Sequence, residues 1–202
     1  MTKLFIARHG QTEWNRDSKL QGWKDAPLTE RGIEQARALR DRLMDEEFDA
    51  VYCSPLGRTL KTAEIVLDGK DLSFIEDERL KEIDMGQWEG IKTDDIKKKF
   101  SKQYADFWER PHKFKPIDGE SFHELKERVV SFLEDVLERH KGENILIFSH
   151  GCASKVMMSY FEERSLKELW KPPKLEEGCL NIVEVEEGDV EVILFGDTSF
   201  QD

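Results

Sequence analysis

The sequence predicts an α/β fold: a three-layer αβα sandwich with a mostly parallel central sheet, helices on both faces and a C-terminal hairpin. Three observations predict it. Apolar runs at Leu4, Phe5, Ile6 and Ala7, at Val51, Tyr52 and Cys53, and at Ile145, Leu146, Ile147 and Phe148 read as strands buried on both faces. Stretches with helical spacing of apolar residues alternate with these runs. Near the end, residues 180–186 and 190–195 are joined by Glu187-Gly188-Asp189 and read as a closing hairpin.

The elements follow in order. The first strand ends at Arg8-His9-Gly10. Thr29 can cap a helix running to about Glu46, with Ile33, Ala36, Leu39 and Leu43 on one face. A helix after Pro55 carries Leu60, Ala63 and Leu67. Residues 91–119 break the alternation: one possible helix has Ile96, Phe100 and Phe107 on one side, then Arg110-Pro111-His112-Lys113-Phe114-Lys115-Pro116 follows. Lys97, Lys98, Lys99 and Lys102 read as a solvated face. Ser121-Phe122-His123-Glu124 is a capping box opening a long helix with the stripe Leu125, Val129, Phe132 and Val136. Another helix follows His150-Gly151, and Ser165-Leu166-Lys167-Glu168 caps a short further one.

The 202 residues suit one domain spanning 1–202. A net charge of −12 argues against a nucleic-acid or anionic-membrane partner. No apolar run is long enough to span a membrane, and Met1-Thr2-Lys3 running straight into a strand has no signal-peptide layout. Cys53, Cys152 and Cys179 form no disulfide framework. A cytoplasmic protein with reduced thiols is therefore expected.

Parallel strands deliver residues to a ligand at their C-terminal ends. There the chain places Arg8 and His9, then Arg58 beyond Ser54-Pro55-Leu56-Gly57, then His150 and Gly151; Glu82 and Asp84 lie in a loop. A guanidinium holds phosphate oxygens in pairs, and a neutral imidazole can act as a nucleophile. Two arginines, two histidines and a carboxylate at neighbouring strand ends make a compact pocket for a phosphoryl group. Helix starts after Gly57 and Gly151 offer N–H groups to the same anion. Rival chemistries fit less well. A cysteine-phosphatase loop on Cys152 needs an arginine where Met158 stands. His112, His123 and His140 lack ligand spacing, and His9 and His150 sit among cations that repel a metal.

The chain resembles the histidine phosphatase superfamily, also called the phosphoglycerate mutase-like family. Five stretches carry the resemblance, in the family's order: residues 8–15 from Arg8 to Asn15, 20–29 around Gln21-Gly22-Trp23, 54–63 around Arg58, 80–90 around Glu82, and Ser149-His150-Gly151. The resemblance implies that His9 attacks phosphorus and becomes a phosphohistidine. It implies that Arg8, Arg58 and His150 surround the phosphoryl oxygens, and that Glu82 is the acid and then the base. Arg8 and Arg58 should lower the His9 pKa, with its other ring nitrogen held by a backbone carbonyl. Asn15, Gln21, Gly22 and Gly151 match substrate-binding positions. Asp84, Glu89 and Ser54 are weaker candidates, Ser54 as an organiser of the Arg58 loop. Trp23, Trp88 and Trp108 are expected to pack.

The resemblance also implies that residues 91–119 form a lid insertion over the site. It implies no cofactor and no metal, a small phosphorylated metabolite as substrate, and a possible homodimer. Of the family's activities, phosphatase is favoured, in the branch that holds broad-specificity and alpha-ribazole phosphatases. Mutases are expected to have a longer chain and an arginine-rich segment after the acid, where this chain holds only Arg110 before Gly119. A cofactor-dependent phosphoglycerate mutase and a non-catalytic phospho-ligand module are the alternatives.

Overall fold

The computed structural model describes residues 1–201. In chain order its elements are β1 (Thr2–Arg8), α1 (Glu13–Arg16), α2 (Glu30–Arg42), β2 (Ala50–Cys53), α3 (Gly57–Val66), β3 (Ile75–Glu76), α4 (Thr93–Lys99), α5 (Ser101–Glu109), α6 (Phe122–Arg139), β4 (Asn144–Ser149), α7 (Gly151–Phe161), β5 (Leu180–Glu186) and β6 (Asp189–Asp197). The strands form one sheet in the order β3-β2-β4-β1-β5-β6. Strands β3, β2, β4 and β1 are parallel, while β5 and β6 run antiparallel as the closing hairpin.

Strand β1 shows why the sheet sits between two layers. Successive side chains point to opposite faces. Leu4 and Ile6 enter the core shared with α6 and α7, whereas Phe5 and Ala7 enter the core shared with α2 and α3. All four are fully buried. Truncating Phe5 to Ala would cost about 3–5 kcal/mol through lost transfer energy and a cavity.

Local signals fix the helix starts. Thr29 accepts the Gly32 N–H at 3.0 Å, and Ser121 and Glu124 make the expected reciprocal capping box. Helix α2 stops at Arg42, short of Glu46: Leu43 already completes the buried stripe as C-cap, and Asp45, Glu46 and Glu47 have no apolar residue to bury. Strand β3 was not foreseen. It has two residues, both exposed, and pairs only along the β2 edge.

Residues 91–119 hold two helices, broken at Phe100, where the single expected helix would have continued. Ile96, Phe107 and Phe114 are buried in the same core as α6 and α7. Trp170 ties α5 down by donating its indole N–H to the Phe107 carbonyl at 2.6 Å. The segment is thus part of the packed layer on one sheet face. Among the described residues, no helix is long and apolar enough to cross a membrane.

Candidate active site

Strands β2, β4 and β1 are adjacent and parallel, so their C-terminal ends share one edge of the sheet. Arg8 ends β1 and His9 follows it. Arg58 stands in the first turn of α3 after β2. His150 is the N-cap of α7 directly after β4. Glu82 arrives from the loop beyond β3.

His9 is 2% exposed. Its Nδ1 lies 2.7 Å from the carbonyl oxygen of Gly10, an acceptor that requires the proton on Nδ1. Nε2 then carries the free lone pair. Burial first, then Arg58 and Arg8, hold the His9 pKa well below 6.5. Gly10 is glycine for a steric reason: a Cβ there would lie 2.3 Å from the Gly32 carbonyl oxygen.

The two guanidiniums are held by their outer nitrogens. Arg58 donates from Nη1 to Asp25 (2.7 Å) and the Lys24 carbonyl (2.8 Å), and from Nη2 to the Gly22 carbonyl (2.8 Å). Burial pulls its pKa down, and Asp25 opposes that pull. Arg8 donates from Nη1 to the Leu175 carbonyl (2.6 Å) and from Nη2 to Glu177 (3.1 Å). The Nε atoms of both arginines are buried without a hydrogen-bond partner among the described residues. An unmet buried donor costs about 1–3 kcal/mol, so two at one site mark a place for an acceptor.

His150 is fully buried, with its ring centroid 5.2 Å from that of His9. Ser54 Oγ and Thr59 Oγ1 lie 2.7 and 3.1 Å from its Nε2. Nδ1 has no partner among the described residues. With a hydroxyl donating to Nε2, Nδ1 carries the proton and becomes a third unmet donor. Burial, then Arg58, lower the His150 pKa well below 6.5. Ser54 therefore orients His150 and does not organise the Arg58 loop; that task falls to Asp25, which the sequence reading missed.

Carboxylates take several of the N–H groups at the two helix starts that were expected to serve an anion. Asp25 takes those of Gly57 and Arg58. Glu82 takes those of Cys152 (3.0 Å) and Ala153 (3.1 Å), together with its neighbour Ile83 (2.9 Å). A fixed carboxylate satisfies a helix N-terminus as well as phosphate does. This contact places Glu82 beside His150 and Gly151. Its main-chain carbonyl is held by Trp23 Nε1 (2.8 Å) and Arg128 Nη2 (2.8 Å). Arg128, paired with Glu120, also binds the carbonyls of Arg79 and Lys81. Nothing in its helical context singled it out.

Asn15 Oδ1 accepts from the Thr12 N–H (3.1 Å) and from Gln21 Nε2 (3.2 Å). Gly22 has φ +56°, and a Cβ there would meet Glu89 at 2.2 Å. Its glycine thus permits the turn that presents its carbonyl to Arg58.

A cavity of about 480 Å³ opens at this edge. Arg8, His9, Arg58, Glu82, Asn15, Gln21, Gly22 and Gly151 all line it, and His150 stands behind His9. The outer walls are Leu20, Met85, Phe107, Trp108, Trp170 and the strip from Pro172 to Leu175. Trp108, expected to pack, is half-exposed on this wall with its ring centroid 4.8 Å from that of Trp170. Arg110, Lys113 and Lys115 line a separate groove with Lys102. The cavity does hold Lys19, Lys155 and Lys174; Lys19 pairs with Asp17, and Lys174 with Glu176. Among the described residues no His, Cys, Asp or Glu side chains gather as a metal-ligating group.

This set of strand-end residues defines a phosphoryl-transfer protein, and the family model for the histidine phosphatase superfamily (branch 1) matches residues 4–198. The chain belongs to that superfamily. It is 35% identical to phosphoserine phosphatase 1 of Hydrogenobacter thermophilus, over 84% of this chain and 81% of that one. It is also 35% identical to a 2,3-bisphosphoglycerate-dependent phosphoglycerate mutase of Parvibaculum lavamentivorans, over 82% of each chain. Equal shares mean comparable lengths, so chain length does not separate the two activities. Among solved structures, Bacillus stearothermophilus YhfR superposes with a TM-score of 0.96 at 39% identity over all of both chains.

Proposed function

We propose that the chain hydrolyses phosphate monoesters without a metal, through a phosphohistidine on His9. One observation carries the reading: Arg8 Nε, Arg58 Nε and His150 Nδ1, all buried and without partners among the described residues, flank a neutral histidine whose free nitrogen is Nε2. His9 Nε2 attacks phosphorus as the bond to the leaving oxygen breaks, and the arginines with His150 stabilise the transferring oxygens. Glu82 gives its proton to the leaving alkoxide. It then takes a proton from water as that water attacks the phosphohistidine, releasing inorganic phosphate and neutral His9. Activity on an aryl phosphate that disappears in excess chelator and returns with a divalent ion would reject this scheme.

Apart from Lys174, the wall made by Phe107, Trp108, Trp170, Pro172, Pro173 and Leu175 is aromatic and aliphatic. It suits a small metabolite whose alcohol portion is apolar, which is the substrate class we assign. We read Phe107 and Trp108 as a fixed wall of the cavity, because Ile96, Phe107 and Phe114 anchor segment 91–119 in the core, and we do not read that segment as a closing lid. Buried free Cys53, Cys152 and Cys179 fit a reducing compartment.

Phosphoglycerate mutase is the second reading, favoured by the mutase relative of similar length. A mutase must hold glycerate by its carboxylate while water is kept out. Lys102, Arg110, Lys113 and Lys115 of segment 91–119 line another groove, Lys19 and Lys174 have carboxylate partners, and Lys155 is bound to the Lys171 and Pro173 carbonyls. With 3-phosphoglycerate and a 2,3-bisphosphoglycerate primer, hydrolysis should outrun isomer exchange. Rapid exchange with almost no phosphate release establishes the mutase instead.

A further inference from the structure

Lys155 is a buried charge that this chemistry leaves unused. It lies four residues beyond Gly151 in α7 and is 3% exposed. Its Nζ donates to the carbonyls of Lys171 and Pro173, both at 2.7 Å, and stands 4.6 Å from the centre of the Phe195 ring. Arg164 reaches the same strip, donating from Nη1 to the Pro172 carbonyl (3.1 Å) and the Lys171 carbonyl (3.4 Å). Two cations thus take three successive carbonyls. The strip has little means of holding itself. Pro172 and Pro173 have no N–H to donate, and residues 171–177 belong to no helix or strand. Yet this strip walls the cavity, and at its end the Leu175 carbonyl and the Glu177 carboxylate receive Arg8.

We propose that Lys155 is a positioning residue for the phosphoryl site: it fixes residues 171–175 and, through the Leu175 carbonyl, the guanidinium of Arg8. The purpose assigned to it rests on the phosphoryl-transfer reading above. A buried ammonium is costly to keep where an apolar side chain of the same length would fit. Here it supplies what an apolar chain cannot, two charge-assisted bonds to a proline-bearing strip. A displacement of Arg8 by about 1 Å is enough to cost on the order of a hundredfold in rate.

The charged groups acting on the ammonium are Arg164 and Glu162, paired with each other beyond α7; on the strip it holds, the Lys171 side chain pairs with Glu168 and Lys174 with Glu176. Burial and then Arg164 bring the Lys155 pKa from 10.5 to about 8, against the opposing pull of Glu162. The clamp therefore weakens as pH rises through about 8. Stability moves the other way. Between about 8 and 10.5 the unfolded lysine binds more protons than the folded one, so this group's contribution to stability rises with pH.

The test measures inorganic phosphate binding by calorimetry and aryl phosphate turnover, from about pH 6.5 to 9.5, for wild type, Lys155→Met and Lys155→Arg. Lys155→Met should weaken phosphate binding and lower kcat by on the order of tenfold, with KM less affected. Lys155→Arg should stay within about threefold of wild type. Wild type should lose phosphate affinity through about pH 8 while its stability relative to Lys155→Met rises, and the affinity step should be absent from both variants. Phosphate binding by Lys155→Met at wild-type strength, or an affinity step that persists in it, overturns the proposal. If Lys155→Met does not fold, Lys155→Arg decides: a step still near pH 8 overturns the proposal, and its loss supports it. Failure of the phosphatase reading looks different, as a wild type that binds phosphate without turning over the ester, and the binding data still judge Lys155.

Discussion

The two ends of the cavity are built on opposite plans. At the inner end each of these polar groups is held by a partner: Asp25 fixes Arg58, Glu177 fixes Arg8, the α7 N-terminus fixes Glu82, and Ser54 fixes His150. At the outer end, Phe107, Trp108, Trp170, Pro172 and Pro173 present surface with few polar atoms aimed at a partner. Directional groups placed by hydrogen bonds discriminate sharply, because misplacing one leaves a buried charge unmet. Apolar walls discriminate weakly, at about 1–3 kcal/mol per methylene-sized difference. The inner end therefore sets the reaction, and the outer end grades the substrates.

The largest effect expected is at His9. His9→Ala should abolish phosphoenzyme formation and lower turnover on the order of 10⁴-fold or more, because the nearby His150 Nε2 is already engaged by Ser54 and Thr59 and burial keeps the Cys152 thiol protonated. A substantial phosphoenzyme in that variant would remove His9 from the nucleophile role.

Next comes the acid. Glu82→Gln should slow an alkyl phosphate by on the order of 10²-fold or more and an aryl phosphate much less, since a good leaving group needs little protonation. Equal losses on the two esters would falsify the acid assignment.

Asp25 tests whether the inner end depends on its supports. Asp25→Asn keeps the size but gives up the charge facing Arg58 and the two N–H groups at the start of α3. A loss of roughly ten- to a hundredfold in kcat/KM is expected, at 1.5–3 kcal/mol for a charge-assisted bond. A variant indistinguishable from wild type would show that Arg58 needs no such anchor.

The outer wall should respond less. Trp108→Ala should raise KM by about three- to tenfold for an aryl ester, leave kcat within about twofold, and hardly touch a short alkyl ester. A kcat loss common to all esters would make the wall part of the inner machinery, breaking the contrast.

The smallest effect is on stability. His9 and His150 are held neutral, well below 6.5, so below that pH the unfolded chain binds protons that the folded chain does not. Stability should therefore fall as pH falls. In His9→Ala the slope should be shallower by up to about 1.4 kcal/mol per pH unit. Denaturant titrations near pH 7 and pH 5 check this, and parallel slopes would mean that His9 is not held neutral in the folded state.

Much of this was legible in the sequence because its signals are local. Apolar runs gave the strands, Thr29 and Ser121 the helix starts, and the strand-end motifs gave Arg8, His9, Arg58 and His150. What escaped it were contacts between segments far apart in the chain. Asp25 reaches Arg58 across 33 residues, Arg128 reaches Glu82 across 46, and Lys155 meets a strip whose only local signature is two prolines. Helix starts after Gly57 and Gly151 were read as free for an anion because sequence shows the N–H groups but not the carboxylates that fill them.

The sequence by itself therefore determined the layered fold, the family and the residues proposed to react, all of which rest on periodicity and short motifs within single elements. The tertiary structure decided which carboxylate orients which arginine, which residues wall the cavity, and that Lys102, Arg110, Lys113 and Lys115 line a different groove. Those outcomes depend on where helices α5 and α7 and residues 171–177 lie against the sheet edge, and that follows from packing of the whole core.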